Sequence, residues 1–144
     1  MDQRISFITL AVRDLEASRR FYLDGLGWSS ELYVPGGVLM IRTGEHLVLS
    51  LWVREQFEAE VGRIGWNEGV APLTIAHNVR TEDEVDAVLE LARTAGADPV
   101  EPAVRRDWGG YTGYFGDPDG YRWEIATNPA PVGAIVLPDQ GAAD

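Results

Sequence analysis

The chain contains no cysteine. Disulfides, thiolate metal sites and a cysteine nucleophile are therefore excluded. It has only two histidines, His46 and His77, so no centre built on three imidazoles can form. Positive charge is scarce: 12 Lys plus Arg stand against 23 Asp plus Glu, for a formal net charge of −11. Phosphate backbones and anionic bilayers both demand a positive footprint, so neither nucleic acid nor a membrane is expected as a partner. No run approaches the ~20 apolar residues that span a bilayer. Met1-Asp2-Gln3-Arg4 leads straight into an apolar segment without a signal-peptide pattern, and the expected location is cytoplasmic. Walker, dinucleotide-binding and nucleophile-elbow signatures are all missing. Asp117-Pro118-Asp119-Gly120 fails as a calcium loop, because the first and twelfth positions of that register would be Phe115 and Ala126.

What remains is ordinary material for a folded domain. With 144 residues, 45% of them hydrophobic, the chain is long enough to bury a core without staples. Ile5–Val12 is a short β-branched run and reads as a buried strand. Asp14 then stands where a helix N-cap would stand. Leu15, Ser18, Phe21 and Tyr22 follow at helical spacing, until Gly25 and Gly27 stop the pattern. Strands are expected at Trp28–Val34, Val38–Thr43 and Leu47–Val53, with Pro35-Gly36-Gly37 and Gly44-Glu45 as turns. The second half repeats this order. Pro72–Val79 reads as a strand, and Thr81-Glu82-Asp83-Glu84 as a capping box. Val85, Val88, Leu89 and Ala92 form an apolar helical stripe ended by Gly96. Strands are expected near Asp98–Val104, Gly110–Phe115 and Tyr121–Thr127, the last two joined by the Asp117–Gly120 turn.

The halves align in register: Ile8-Thr9-Leu10-Ala11-Val12-Arg13 lies over Ile75-Ala76-His77-Asn78-Val79-Arg80, an offset of 75 − 8 = 67. An internal βαβββ repeat follows. The expected organisation is a first module over 1–53, a linker over 54–71 with a short helix near Glu55–Val61, a second module over 72–128 and a tail over 129–144, all in one structural domain. Within the tail, Gly133–Leu137 is expected as an edge strand and Asp139–Asp144 as frayed.

Two stretches carry a family resemblance. One is Val12-Arg13-Asp14-Leu15-Glu16-Ala17-Ser18 with Phe21-Tyr22 and Leu26-Gly27-Trp28. The other is Gly113-Tyr114-Phe115-Gly116-Asp117-Pro118-Asp119-Gly120 with Trp123-Glu124-Ile125. Together they resemble the vicinal oxygen chelate superfamily of glyoxalases, bleomycin- and fosfomycin-resistance proteins and extradiol dioxygenases. The resemblance implies an α+β fold, with two βαβββ modules forming a curled mixed sheet around a cavity, and a homodimer. It also implies metal ligands on the opening strand of each module and on the last strand. Carried over, these positions are Phe7, Thr74 and Glu124, with a fourth near Leu49 or Ser50. Phe7 has no lone pair and a neutral Thr74 hydroxyl is a poor ligand, whereas non-haem iron wants two His and one carboxylate. No metal and no cofactor is therefore expected.

Strand alternation puts His77 out of phase with Thr74 and Ala76, on the helix side, where it reads as a hydrogen-bonded structural residue. His46 follows a turn and reads as an exposed residue or as a base at a cavity mouth. Glu124 is the best candidate for chemistry. Partly desolvated beside apolar walls, it would shuttle protons or bind a cation; otherwise it is a solvated or Arg-paired charge. Trp52, Trp108, Tyr111, Tyr114 and Trp123 suit an aromatic wall that stacks on planar or cationic molecules, or else ordinary core. Trp108 and Tyr111 flank Gly109-Gly110, a gating loop or a bulge. The expected ligand contacts are Phe7, Thr74, Trp52, Trp108, Tyr111 and Glu124. Two functions follow: a metal-independent protein that binds a small, partly aromatic organic molecule, or a small metal-independent isomerase, lyase or cyclase working through Glu124. Metal-dependent glyoxalase or dioxygenase chemistry ranks below both.

Overall fold

A computed structural model describes residues 1, 3–65 and 69–138. They form two compact units, Met1–Gly69 and the remainder from Val70 onward.

The first unit opens with β1 (Phe7–Val12) and turns at Asp14 into α1 (Leu15–Arg19). The Asp14 carboxylate accepts the backbone N–H groups of Glu16 and Ala17 at 2.9 and 3.0 Å, which supplies the cap that its position promised. The helix continues as a π-helical turn over Arg20–Gly25. β2 (Leu32–Val34), β3 (Val38–Gly44) and β4 (Leu47–Val53) follow, and α2 (Arg54–Glu60) closes the unit. The sheet order is β1-β4-β3-β2, with β1 parallel to β4 and the other pairs antiparallel. Leu10, Leu51, Leu39 and Tyr33 form one cross-sheet row. The Tyr33 hydroxyl donates to Glu16 of α1 at 2.7 Å, so this row marks the helix-covered face. Leu10, Val12, Leu39, Ile41, Leu49 and Leu51 are buried on it, together with Leu15, Phe21 and Tyr22. The opposite, open face carries Phe7, Thr9, Ser50, Met40, Trp52 and Val38, and α2 contacts β4 and β1 there.

The second unit repeats the scheme. β5 (Thr74–Asn78), α3 (Glu82–Ala95), β6 (Val100–Arg105), β7 (Tyr111–Gly116) and β8 (Arg122–Thr127) precede a short α4 (Pro131–Ile135). The order β5-β8-β7-β6 matches the first sheet, again with the opening strand parallel to the last. The reciprocal Thr81–Glu84 box starts α3, and Gly96 ends it at φ 101°, a left-handed value that favours glycine. Val85, Leu89 and Ala92 of α3 are buried, and a methyl group on Gly113 would lie 2.5 Å from Leu89 Cδ1. The covered face of this sheet is therefore the one that holds Gly113, Ile125, Phe115 and Trp123.

The α+β class and the doubled βαβββ order agree with the sequence reading. Two local expectations do not. Residues 28–31 form no strand: the Trp28 N–H donates to the Tyr22 carbonyl at 3.0 Å and its ring sits 5.5 Å from that of Tyr22, so the segment closes the helix end instead. Gly133–Leu137 is not an edge strand, because α4 occupies Pro131–Ile135. Pro131 cannot donate to a sheet ladder and presets a helical φ. The reading of Asp139–Asp144 lies outside the described residues. Among the described residues no helix is long and apolar enough to cross a membrane.

Candidate functional site

The register decides which residue of the first module stands where Glu124 stands in the second. Glu124 pairs with Ala76. The residue equivalent to Ala76 is Thr9 (76 − 67 = 9), and Thr9 pairs with Ser50. Ser50, not Leu49, is the counterpart, and Leu49 faces the helix layer. Ser50 is buried, and its hydroxyl has no hydrogen-bond partner among the described residues.

In the first unit, Phe7 lies at the start of β1 on the open face, 54% exposed. Trp52 lies on the same face four residues further along, opposite Ala11 where Phe7 is opposite Val48. Trp52 joins Val38, Met40, Gln56, Ala59 and Glu60 in lining a cavity of about 510 Å³ between the sheet and α2, within the range of small-molecule pockets. Its indole N–H is buried without a partner among the described residues.

In the second unit, Glu101, Tyr114, Glu124 and Ala76 form one cross-sheet row on the open face. Thr74 and Arg122 pair in a neighbouring row of the same face. Burial, followed by the charge of Glu124 and a hydrogen bond to it, pushes the Tyr114 phenol above its ordinary pKa. The Arg106 Nε donates to Thr112 Oγ1 at 2.7 Å, and its guanidinium stands 5.9 Å from the Tyr114 ring centroid. A carboxylate, a phenol and a guanidinium thus share one face, which is a base beside two donors.

The other expected contacts go elsewhere. Tyr111 faces the helix, where its hydroxyl donates to Asp86 of α3 at 3.0 Å. Trp108 is 53% exposed, its ring folded over Gly110. Trp123 is core, stacked on Phe115 with centroids 6.1 Å apart. His77 lies in the row of Ile125 and Gly113, on the helix side as alternation required, but exposed at the edge strand. His46 is exposed beside Glu45 at 3.4 Å. Sequence reasoning missed Arg106, Thr112, Gln56 and Glu60. Tyr114 is among the expected aromatics, and alternation from it along β7 reaches Thr112, but no local signal marks Arg106, Gln56 or Glu60.

The donor set does not fit a divalent ion. Phe7 has no donor atom, Ser50 and Thr74 offer neutral hydroxyls, and Glu124 alone supplies a carboxylate. Arg122 stands two residues from Glu124 on the same face. Among the described residues no group of three His, Cys, Asp or Glu side chains is placed to hold a metal.

Two mixed four-stranded sheets of identical strand order, each with one helix-covered and one open face, define a tandem βαβββ protein. Residues 4–125 match the model of the Glyoxalase/Bleomycin resistance protein/Dioxygenase superfamily, and the chain belongs to that superfamily. A glyoxalase-related enzyme from Fulvimarina pelagi is 38% identical over 88% of this chain and 89% of its own, with a TM-score of 0.78. A glyoxalase/bleomycin resistance protein/dioxygenase from Nocardioides is 25% identical over 88% of this chain and 83% of its own, with a TM-score of 0.69. Lactoylglutathione lyase from Agrobacterium tumefaciens shares the fold, at 24% identity over 87% of this chain and 93% of its own and a TM-score of 0.66. No curated protein matches.

Proposed function

We propose that this protein binds a small, partly aromatic organic molecule without using a metal ion, and that it acts as a homodimer. The observation that carries the reading is the cavity beneath α2: apolar walls from Val38, Met40 and Trp52, with polar side chains, among the described residues, at Gln56 and Glu60. Such a lining recognises a flat apolar body and orients it by a few polar contacts. The donor-poor positions Phe7, Ser50 and Thr74 support a ligand held by packing and hydrogen bonds. A screen of aromatic compounds by tryptophan fluorescence tests the reading. Saturable quenching that Trp52→Phe abolishes supports it, and a protein that binds nothing across the screen refutes it. Light scattering on the purified chain tests the dimer.

One observation favours an enzyme instead, the Glu124–Tyr114–Arg106 grouping. In that reading Glu124 takes a proton from the substrate while Tyr114 and Arg106 stabilise the charge left behind, as an isomerase, lyase or cyclase requires. The readings separate on Glu124→Gln. Under binding alone the ligand is recovered unchanged and only affinity responds. Under catalysis product accumulates, and the substitution lowers kcat far more than it changes KM.

A further inference from the structure

The open face of the second unit carries Arg106 and Arg122, and among the described residues neither forms an ion pair. This runs against the rest of the molecule, where 23 acidic residues outnumber 12 basic ones. Arg19, Arg20, Arg42, Arg54 and Arg93 each pair with a Glu or Asp. So does Arg105, the neighbour of Arg106 on the helix side, which meets Glu82 of α3 at 2.7 Å. Arg122 instead donates to the Gly120 carbonyl at 3.3 Å. Arg106 donates from Nε to Thr112 Oγ1 at 2.7 Å and from Nη2 to the Thr112 carbonyl at 3.5 Å. Its charge is left without an acid although Glu124 shares the face.

The way Arg106 is held leaves one edge of it for use. Nε and Nη2 lie on the same side of the planar guanidinium, and Thr112 occupies that side. The other edge, Nη1 with Nη2, is the fork that takes a carboxylate by two parallel hydrogen bonds. Among the described residues the buried side-chain polar atoms without a partner are Ser50 Oγ and Trp52 Nε1, so Arg106 Nη1 is open to solvent. The remainder of the residue is fixed. Thr112 is buried, the Arg106 N–H donates to the Gly110 carbonyl at 2.8 Å, and the Arg106 carbonyl accepts from the Gly109 N–H at 2.9 Å. The Tyr114 ring centroid lies 5.9 Å from the guanidinium carbon. A donor fixed in this way gives up little freedom when it binds.

We infer that Arg106 anchors the carboxylate of a small organic acid on this face, through Nη1 and Nη2, with the body of the acid beside Tyr114. Charge selects the class. Glu101 and Glu124 stand in the Tyr114 row and the net charge is −11, so a dianion meets more repulsion than one guanidinium offsets. A neutral amide of the same shape loses the charge-assisted bonds. The assignment goes beyond both readings above and depends on neither: it holds whether the acid is only bound or is turned over at Glu124, and it lies in the other unit from the α2 cavity.

The test titrates the full, 15N-labelled chain with benzoate, benzamide and sulfate at physiological ionic strength, with the backbone amides of Tyr111–Gly116 and Arg122–Thr127 as reporters. Benzoate is expected to shift them saturably and to bind at least about ten-fold more tightly than the other two, the worth of a hydrogen bond to a charged group. Arg106→Gln is expected to weaken benzoate by a similar factor. Arg106→Lys keeps the charge but not the fork and is expected to lose part of the affinity; it decides the question even if the Gln variant fails to fold. Arg105→Gln removes the same charge from the helix side and is expected to leave benzoate affinity within about two-fold, since salt screens exposed charges that are not in contact. No saturable shift with benzoate, equal binding of benzamide, tighter binding of sulfate, full affinity in Arg106→Lys, or an equal loss in Arg105→Gln and Arg106→Gln overturns the assignment. None of these outcomes touches the Trp52 quenching screen, so the small-molecule reading is judged separately.

Discussion

Gly113 lacks a side chain because three neighbours occupy the space a Cβ would need. A methyl group there would lie 2.5 Å from Leu89 Cδ1 and 2.9 Å from both the Ala103 nitrogen and the Glu101 carbonyl oxygen. Leucine can turn aside, but two backbone atoms of the neighbouring strand cannot. Gly113→Ala should therefore cost about 1–3 kcal/mol, the usual range for overpacking, read as a lower urea midpoint at an unchanged slope. Tyr114 allows a second residue-scale test. Its phenol is raised first by burial and then by Glu124, so its absorbance titration should run later than that of an exposed tyrosine. Glu124→Gln removes the charge but leaves the burial. The Tyr114 titration should then move down yet stay above the ordinary value. If it does not move, the two side chains do not face each other as the strand register places them.

At the scale of elements, the caps were the most readable features, because a cap is chosen by the few residues beside it. Asp14 and the Thr81–Glu84 box could be picked out without any knowledge of tertiary structure. Their energetics can be checked in the same local terms. Thr81→Ala removes the hydroxyl that accepts the Glu84 N–H at 3.2 Å and should cost about 1 kcal/mol. The Glu84 carboxylate accepts the N–H groups of Thr81 and Arg80 at 2.9 and 2.8 Å, and these hold its pKa below the ordinary value of 4.5. A pKa depressed by folding stabilises the native state fully above the unfolded value, and this support is lost as pH falls through the lower, folded value. Denaturation curves recorded below pH 4.5 should thus show a weaker acid dependence for Glu84→Gln than for the parent. Strand parity was equally readable: Thr74, Ala76 and Glu124 fall on one face and His77 on the other, as a period of two dictates. The boundaries that failed were set by a contact outside the segment's own alternation or by a lone proline. Residues 28–31 looked strand-like until the Tyr22 carbonyl claimed the Trp28 N–H. The candidate site was readable only in part for the same reason. Trp52 and Glu124 sit on strands whose faces alternation reveals. Arg106 comes from a loop and Glu60 from a short helix, and no periodicity ties either to its neighbours in space.

At the scale of the whole molecule, the repeat and the charge bear on one question, whether a chain of this superfamily holds a metal ion. Duplication at an offset of 67 makes the implied ligand positions equivalent in pairs, Phe7 with Thr74 and Ser50 with Glu124, so the loss of donors can be judged pair by pair. The first pair supplies a phenyl ring and a hydroxyl, and the second a hydroxyl and one carboxylate. No borderline or soft ion is held firmly by such a set, since imidazole and thiolate nitrogen and sulfur ligands are what select them. The net charge of −11 nevertheless attracts cations diffusely, and that attraction is screened by salt. Calorimetric titration with Zn²⁺, Ni²⁺ and Mn²⁺ should accordingly show only weak uptake that fades between low and physiological ionic strength. Dialysis against a chelator should leave the thermal midpoint unchanged, because an ion that binds the native state tightly would raise it by mass action. An ion retained at one equivalent through desalting, with a midpoint that drops on chelation, would mean that donors other than these four positions assemble a centre. The metal-free reading would then have to be abandoned whatever the cavity under α2 binds.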